Sequence, residues 1–421
     1  MDASKNKMIW SVLVLIVIFG AGFYFLNRNL GTSSLPQAED EKAGVEASPG
    51  ETVSYLKAPA GFKLAFFAKN VPGARAIELD SKGNILVSQT REGTITALHD
   101  ANGDGTAEEK SMIATGLTKP HGMAMNCEEG GSCFLYVAEA HQLSRFPYDA
   151  ETPSLGKQEK LMDIAYSGGD NHFTRSLLFL PSPNQDTLLI SAGSSCNVCD
   201  EKDTDHASIM SYNIKTKKKE QYARGLRNAV FMTLHPVSGK VYATEMGRDN
   251  LGDNLPPDEI NIIEKDNKGQ SKNYGWPICY GKNIHDTQFD PEGQQVAYGA
   301  GKKTCSFYEP SFVDLQAHSA PLGLNFIPEE GWDEDMWYDL LVAYHGSWNR
   351  SVPTGYKIVR LRMNAQGQYE GIEDFITGFL GSDGEKLGRP VDIKVFPGGT
   401  AYITDDEAGA VYKLSRTTEA Q

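Results

Sequence analysis

Beyond residue 55 the chain alternates between short apolar runs and polar turns, and one template recurs. A polar residue leads into an apolar run. A turn with Gly or Pro follows, then a second apolar run. Arg75 leads into AIELD and then NILVS; His121 into GMAM and then FLYVA; His172 into FTRSLLFL and then TLLIS. Arg227-Asn228 leads into AVFMTL and KVYAT, His318 into SAPLGLNFI and LLVAY, and Arg389 into PVDIKVF and TAYIT. Short β-branched and aromatic runs bounded by turn formers predict strands. No long stretch has apolar residues at helical spacing.

Six self-similar strand pairs are the signature of a radial array, in which each copy buries its faces against its neighbours. Sharing the chain beyond the linker among six copies leaves about 60 residues each, enough for a four-stranded sheet with loops. The expectation is an all-β fold, a six-bladed β-propeller of four-stranded antiparallel blades, over residues 55–417. The apolar strand at Gly61–Phe67 is expected to close the ring by pairing with the last blade. The longest interval, Arg227 to His318, is read as a loop insertion and not as a seventh blade.

Ahead of the strands the pattern changes. Residues 1–7 are polar, with Lys5 and Lys7, and residues 8–26 are uncharged and almost wholly apolar. As a helix this run would extend about 28 Å, the thickness of a bilayer core. It is longer than the apolar part of a cleaved signal and has no small-residue cleavage site after it. The expectation is one N-terminal transmembrane helix. The lysines stay inside, the remainder is exported, and the propeller faces the periplasm. Residues 27–54 lack periodicity and read as a flexible linker.

Composition narrows the function. The formal charge is −15, which argues against a nucleic-acid partner. Six cysteines fall into close pairs, Cys127/Cys133, Cys196/Cys199 and Cys279/Cys305. In an exported protein such pairs predict disulfides. A redox or metal role for Cys196-Asn-Val-Cys199 lacks a second CxxC and a βαβ context.

In a propeller the starts of the innermost strands surround the axis. The residues there are Arg75, His121, His172, Arg227, His318 and Arg389. A lone polar residue at a strand start needs no explanation. Six that are all Arg or His, in a chain with 9 histidines, predict an axial site. Arginine forks suit an anionic ligand, and histidines can carry protons near neutral pH. No G-x-S-x-G elbow, H-E-x-x-H or P-loop is present.

These residues, with GLRNAV, TEMGRDNLGDNLPPDEINII, NYGWPICYG, GSSCNVC, AYHGSWNR and GRPVDI, resemble the PQQ-dependent glucose and sorbosone dehydrogenase family. The resemblance covers most of the chain after residue 55. It implies a six-bladed propeller that oxidises a sugar by hydride transfer to PQQ, held on the axis with Ca²⁺. It implies His172 as general base, and Arg227 and Asn228 against the quinone carbonyl. Arg389 would bind a carboxylate, and the backbone carbonyls of Gly247 and Arg248 would ligate Ca²⁺. His121 and His318 would complete the cofactor site. The sequence departs from the glucose enzymes at His121, Asn171, Arg248 and Val391, and is closer to the sorbosone branch. The electron acceptor is expected in or near the membrane.

Three further features carry weaker expectations. Asp100, Asn102 and Asp104 form the first half of a calcium loop, with Ser111 where the closing Glu belongs. Asp249, Asp253, Asp258 and Glu259 could hold a second ion. Tyr274, Trp276 and Trp348 could line a sugar site. Two other readings compete with sugar oxidation. One is a metal-dependent hydrolase propeller of the gluconolactonase type, which needs axial carboxylates. The other is a binding propeller without catalysis.

Overall fold

Each of the six apolar pairs forms the first two strands of an antiparallel sheet. The computed structural model describes residues 50–417, apart from 129, 170, 292, 294–297, 300, 301 and 304. The segment 8–26 and all but the end of the linker lie outside the described residues. Among the described residues, no helix is long and apolar enough to cross a membrane. Blades 1 to 5 occupy residues 74–114, 123–163, 177–224, 229–315 and 321–376. Blade 6 takes three strands from 390–416, and its fourth is Phe62–Ala68. That strand pairs antiparallel with Ala410–Arg416, placing Leu64 opposite Leu414. The ring is therefore closed by hydrogen bonds between the two ends of the domain, as the apolar strand after Gly61 predicts.

The first strand of every blade is innermost and packs against the first strands of both neighbouring blades. The second strands lie between blades, so both faces are covered. Ile85–Gln89, Val241–Glu245 and Leu340–Tyr344 are buried at every residue. Their sequences are accordingly continuous apolar runs without alternation. Outer strands such as Glu109–Ala114 and Tyr369–Ile376 are largely exposed, and their polarity hides them from a hydrophobic pattern. The long interval is an insertion between the third and fourth strands of blade 4, Asp258–Ile263 and Val313–Leu315. Within it, Lys272–Asn273 adds a parallel fifth strand to blade 3.

The strand starts are where blades are joined. In blades 1, 4, 5 and 6 the register between the first two strands slips near the beginning of the inner one. Such a bulge leaves an inner-strand amide without a ladder partner. A hydroxyl on the second strand accepts it in blades 1, 4 and 6: Ala76 N–H to Ser88 Oγ (3.1 Å), Phe231 N–H to Thr244 Oγ1 (3.3 Å) and Asp392 N–H to Thr404 Oγ1 (3.0 Å). Each of these hydroxyls donates in turn to a carbonyl at the start of the next blade: His121 O (2.8 Å), Leu322 O (2.8 Å) and Arg75 O (2.6 Å). Blade 3 has the same hydroxyl in Ser191, which accepts from Ser176 N–H at 2.9 Å. In blades 2 and 5 the hydroxyl is replaced by Ala138 and Ala343, and the facing inner-strand residue is Gly122 or Gly323. A Cβ at Gly122 would lie 2.4 Å from Arg175 O, and one at Gly323 would lie 2.5 Å from Asp392 Cα. There the backbones themselves approach. Glycine is required by that approach and not by φ.

This latch is testable by substitution. Thr404→Val keeps the volume but leaves the Asp392 amide and the Arg75 carbonyl unpaired. Urea unfolding should show a loss of about 1–3 kcal/mol. The exposed Lys63→Ala should stay within about 0.5 kcal/mol of wild type.

Candidate active site at the axial mouth

The register of the inner strands shows that the six cationic residues are not rotational equivalents. Arg75 and His121 occupy the same blade position, but the matching residue of blade 3 is Arg175, and those of blades 4, 5 and 6 are Val230, Leu322 and Val391. His172, Arg227, His318 and Arg389 lie two to four residues ahead of that position, on the strand-entry loops. The expectation of simple sixfold placement is therefore corrected. Loop length, which the template ignored, sets how far each side chain stands from the barrel.

Arg175 explains part of the difference. It is fully buried. Its guanidinium donates to the carbonyls of Ala140, Ala165, His172 and Thr174 at 2.9–3.2 Å. The inner strand of blade 3 begins after Arg175 and runs only over Leu177–Phe179. Arg175 also fixes the backbone of His172. Sequence reasoning passed over Arg175 because it stands inside an apolar run.

His172 Nδ1 lies 3.0 Å from Ser194 O and 2.9 Å from Ser194 Oγ. The Ser194 hydroxyl donates to Cys196 O at 2.6 Å. Both groups facing Nδ1 therefore act as acceptors, which makes Nδ1 the protonated nitrogen and leaves Nε2 with a free lone pair. Burial, reinforced by the Arg227 charge, pushes the imidazole down to about 3. His172 is a neutral base across the neutral and mildly acidic range. Beneath it Gly193 has no room for a side chain. A Cβ would lie 2.5 Å from both His172 Cβ and Asn228 Oδ1. Asn228 Oδ1 accepts from Thr174 Oγ1 at 2.6 Å.

Arg227 is almost wholly buried and uses all five donors. Nε donates to Asn197 O (2.9 Å) and Nη2 to Asn197 Oδ1 (2.8 Å) and Asp249 Oδ2 (2.9 Å). Nη1 donates to Met246 O (3.2 Å) and Gly247 O (3.0 Å). Gly247 thus presents its carbonyl to a cation. The Arg248 side chain turns away to Asp286 at 2.8 Å.

On the other side of the mouth, Arg75 pairs with Asp406 at 3.0 Å and His345 Nε2 donates to the same carboxylate at 2.8 Å. Arg389 donates to the carbonyls of His345 (3.2 Å) and Gly346 (2.8 Å) and lies over the Tyr356 ring. Burial pushes His345 down to about 4, against the pull of Asp406. The same neighbours hold the Asp406 carboxyl below the usual range despite its burial. His345 and Asp406 were missed by the repeat template because neither begins a strand.

Beside the Arg75–Asp406 pair opens a cleft of about 310 Å³ lined by Gly73, Arg75, Thr90, Arg91, Lys119, Phe173 and Asp406. Lys119 is a non-glycine residue at φ 49°. Its ammonium lies 4.7 Å over the Phe173 ring, next in sequence to His172, and 5.7 Å from Tyr166. Among the described residues Lys119 has no carboxylate partner. The cleft's one acid, Asp406, is already engaged. A net positive, aromatic-floored opening beside a neutral imidazole is the chemistry of an anionic, planar ligand.

The remaining candidates are placed as follows. His121 is fully buried, with both ring nitrogens unpaired, and meets Phe231 of blade 4 at 5.0 Å between centroids. It reaches the inner strand of blade 4 through that ring contact. His318 sits at φ 63° and donates from Nε2 to Gly252 O at 2.8 Å. The acidic residues after Gly247 do not converge. Asp249 binds Arg227 and Asn349, and Asp253 binds Ser351. Asp258 and Glu259 are buried in a strand, on the amides of Gly247 and Gly281 respectively. In the 100–108 loop the carboxylates of Asp100, Asp104 and Glu108 cluster. Asn102 instead caps Asp104, so Glu108 and not Ser111 supplies the third acid. Tyr274 is core packing, donating to Ile262 O, whereas Trp348 is 70% exposed. The disulfides Cys127–Cys133, Cys196–Cys199 and Cys279–Cys305 are formed as expected.

Comparison with known proteins places the fold in a family. A family model described as TrAA12-like matches residues 56–417. The chain belongs to the TrAA12-like family. A protein of Borreliella burgdorferi, described as uncharacterized, is 32% identical over 373 residues, covering 86% of this chain and 92% of its own. The pyrroloquinoline quinone-dependent pyranose dehydrogenase of Coprinopsis cinerea is 24% identical over 85% of this chain, which spans 54% of that enzyme's length. Among solved structures, the family AA12 protein of Trichoderma reesei superposes with a TM-score of 0.70 at 21% identity, covering 89% of this chain and all of that one. The holo PQQ domain of the Coprinopsis enzyme gives 0.68, over 86% of this chain and 97% of that one.

Histidine NMR tests the geometry without any ligand. One imidazole, that of His172, should titrate near 3, and Gly193→Ala should move it up toward the 6.5 of a free imidazole. An unchanged titration in Gly193→Ala would contradict the packing described.

Proposed function

We propose that this TrAA12-like protein is a PQQ-dependent sugar dehydrogenase that oxidises an aldose or sugar aldehyde at the axial mouth. The observation that carries the reading is the cationic cleft of Arg75, Arg91 and Lys119 beside a neutral, Nδ1-protonated His172. The named activities of the Coprinopsis relative support it. The residues fit the cofactor in kind. PQQ is a planar polyanion, and Lys119 over Phe173 offers an aromatic face and a cation that has no carboxylate partner among the described residues. Arg75 and Arg389 add fixed positive charge at the rim. The carbonyls of Met246 and Gly247, with Asp249, face a cationic group, and oxygen donors of this kind are what Ca²⁺ prefers. A metal on Gly247 would take over the bond that Arg227 now makes.

PQQ supplies the two-electron acceptor when bound. The protein's own part is narrower. His172 Nε2 accepts the proton of the sugar hydroxyl, and Ser194 and Cys196 hold the ring in the tautomer that allows this. Arg227 and the neighbouring cations favour negative charge developing in the mouth. The exposed Trp348 offers a face for a sugar ring. Its loop is tied to the site through Asn349 and Asp249. The departures at Asn171 and Val391 fit a substrate other than glucose. Val391 is fully buried in the core. Against a hydrolase of the gluconolactonase type, the carboxylates described at the mouth are engaged by cationic side chains and histidine, Asp406 by Arg75 and His345 and Asp249 by Arg227. The apolar segment 8–26 leads us to place the domain on the periplasmic face of a membrane, with an electron acceptor nearby.

The protein, loaded with PQQ and Ca²⁺, should reduce an artificial dye with at least one member of an aldose panel. His172→Ala should lower the rate by about 10²–10⁴-fold with PQQ still bound. No turnover with any sugar, or loss of PQQ in His172→Ala, would overturn the assignment.

A further inference from the structure

The four-residue ring closed by Cys196 and Cys199 touches both sides of the chemistry. Asn197 stands inside it. Asn197 O accepts from Arg227 Nε at 2.9 Å, and Asn197 Oδ1 accepts from Arg227 Nη2 and from the Asp249 amide, both at 2.8 Å. Its Nδ2 donates to Asp249 O at 3.2 Å. Two of the five Arg227 donors thus end on this one residue, and its side chain also fixes the carboxylate that takes a third. Cys196 contributes separately. Its carbonyl takes the Ser194 hydroxyl proton, which turns the serine oxygen into an acceptor for His172 Nδ1. The ring therefore fixes the orientation of a guanidinium and the tautomer of an imidazole at once.

We propose that the Cys196–Cys199 disulfide ring is a mount that positions His172 and Arg227 together, with Asn197 as the positioning residue for Arg227. It rests on the proposed sugar oxidation only for its effect on rate; the mount itself is a statement about geometry. The backbone amide and carbonyls of a short loop have many conformations, and a covalent closure removes most of them. Without it, the Asn197 carbonyl and the Cys196 carbonyl are no longer held to point in the two directions that the site needs. A dithiol reductant opens the ring: the S–S bond breaks, two electrons and two protons pass to the cysteines, and the reductant leaves as its own disulfide. The site is then expected to lose preorganisation while the propeller stays folded, because no blade ladder passes through the ring.

The test compares Cys196→Ser/Cys199→Ser, Asn197→Ala and Cys127→Ser/Cys133→Ser. In the protein without added cofactor, ¹⁵N-histidine NMR at pH 7 should find His172 as a single Nδ1–H tautomer in wild type. Cys196→Ser/Cys199→Ser should show a mixed tautomer, and Cys127→Ser/Cys133→Ser should match wild type. In the loaded enzyme, Asn197→Ala should lower kcat at least tenfold with less than a threefold change in sugar KM. The same substitution in an Arg227→Ala background should cost less than threefold, since Asn197 acts through Arg227. Val198→Ala, inside the same ring without a side-chain hydrogen bond, should stay within twofold of wild type. A dithiol should inactivate wild type and Cys127→Ser/Cys133→Ser alike and leave Cys196→Ser/Cys199→Ser unaffected. An unchanged His172 tautomer in the opened ring overturns the proposal whatever the activity. An undiminished effect of Asn197→Ala on the Arg227→Ala background overturns the positioning role. A wild type inactive on every sugar, with the tautomer shift present, instead overturns the proposed reaction and leaves the mount standing.

Discussion

The fold depends on how the ring is joined near its axis. Four of the six inner strands slip register as they enter the barrel, and such a bulge exposes an amide that the ladder cannot satisfy. A buried amide without a partner costs about 1–3 kcal/mol. At three of these four joints the protein answers with a hydroxyl. Ser88, Thr244 and Thr404 accept the stray amide and pass their own proton to the next blade. Where the hydroxyl is absent, Gly122 or Gly323 lets the backbones meet. A single group thus satisfies the bulge and sets the spacing of neighbouring blades. Because those carbonyls belong to Arg75, His121 and Leu322, the same bonds hold the strand entries from which site residues project.

Function builds on that rigidity by adding loops of unequal length. His172 and Arg227 stand ahead of the latch positions and are held by short-range bonds to Ser194, Asn197 and Asp249. On the opposite rim Arg75 and His345 share Asp406, and Arg389 holds the His345 carbonyl. The two clusters carry their charges differently. Asp406 balances Arg75, and Asp249 balances Arg227. Among the described residues Lys119 has no carboxylate partner and lies over an aromatic face.

Much of the architecture was legible because buried second strands are continuous apolar runs, and six of them recur at similar spacing. The closing strand after Gly61 was legible for the same reason. The outer strands were not, since Glu109–Ala114 and Tyr369–Ile376 face solvent and read as polar. The site was legible only in part. The motifs pointed to His172 and Arg227, but the template implied a sixfold equivalence that the register denies. Arg175 was hidden by its apolar neighbours, and Lys119 by a loop before the Pro120 turn. His345 and Asp406 follow second strands. The second-strand hydroxyls in ILVS, LLIS, VYAT and AYIT were visible as a pattern, yet their meaning depends on a bulge that only three-dimensional pairing reveals.

The central claim is that the cationic cleft at the axial mouth receives the cofactor. Difference density from crystals soaked with PQQ tests it most directly. The account predicts a planar density lined by Arg75, Arg91, Lys119 and Phe173, with His172 at its edge. Density elsewhere on the molecule, or an empty cleft at saturating PQQ, would contradict it.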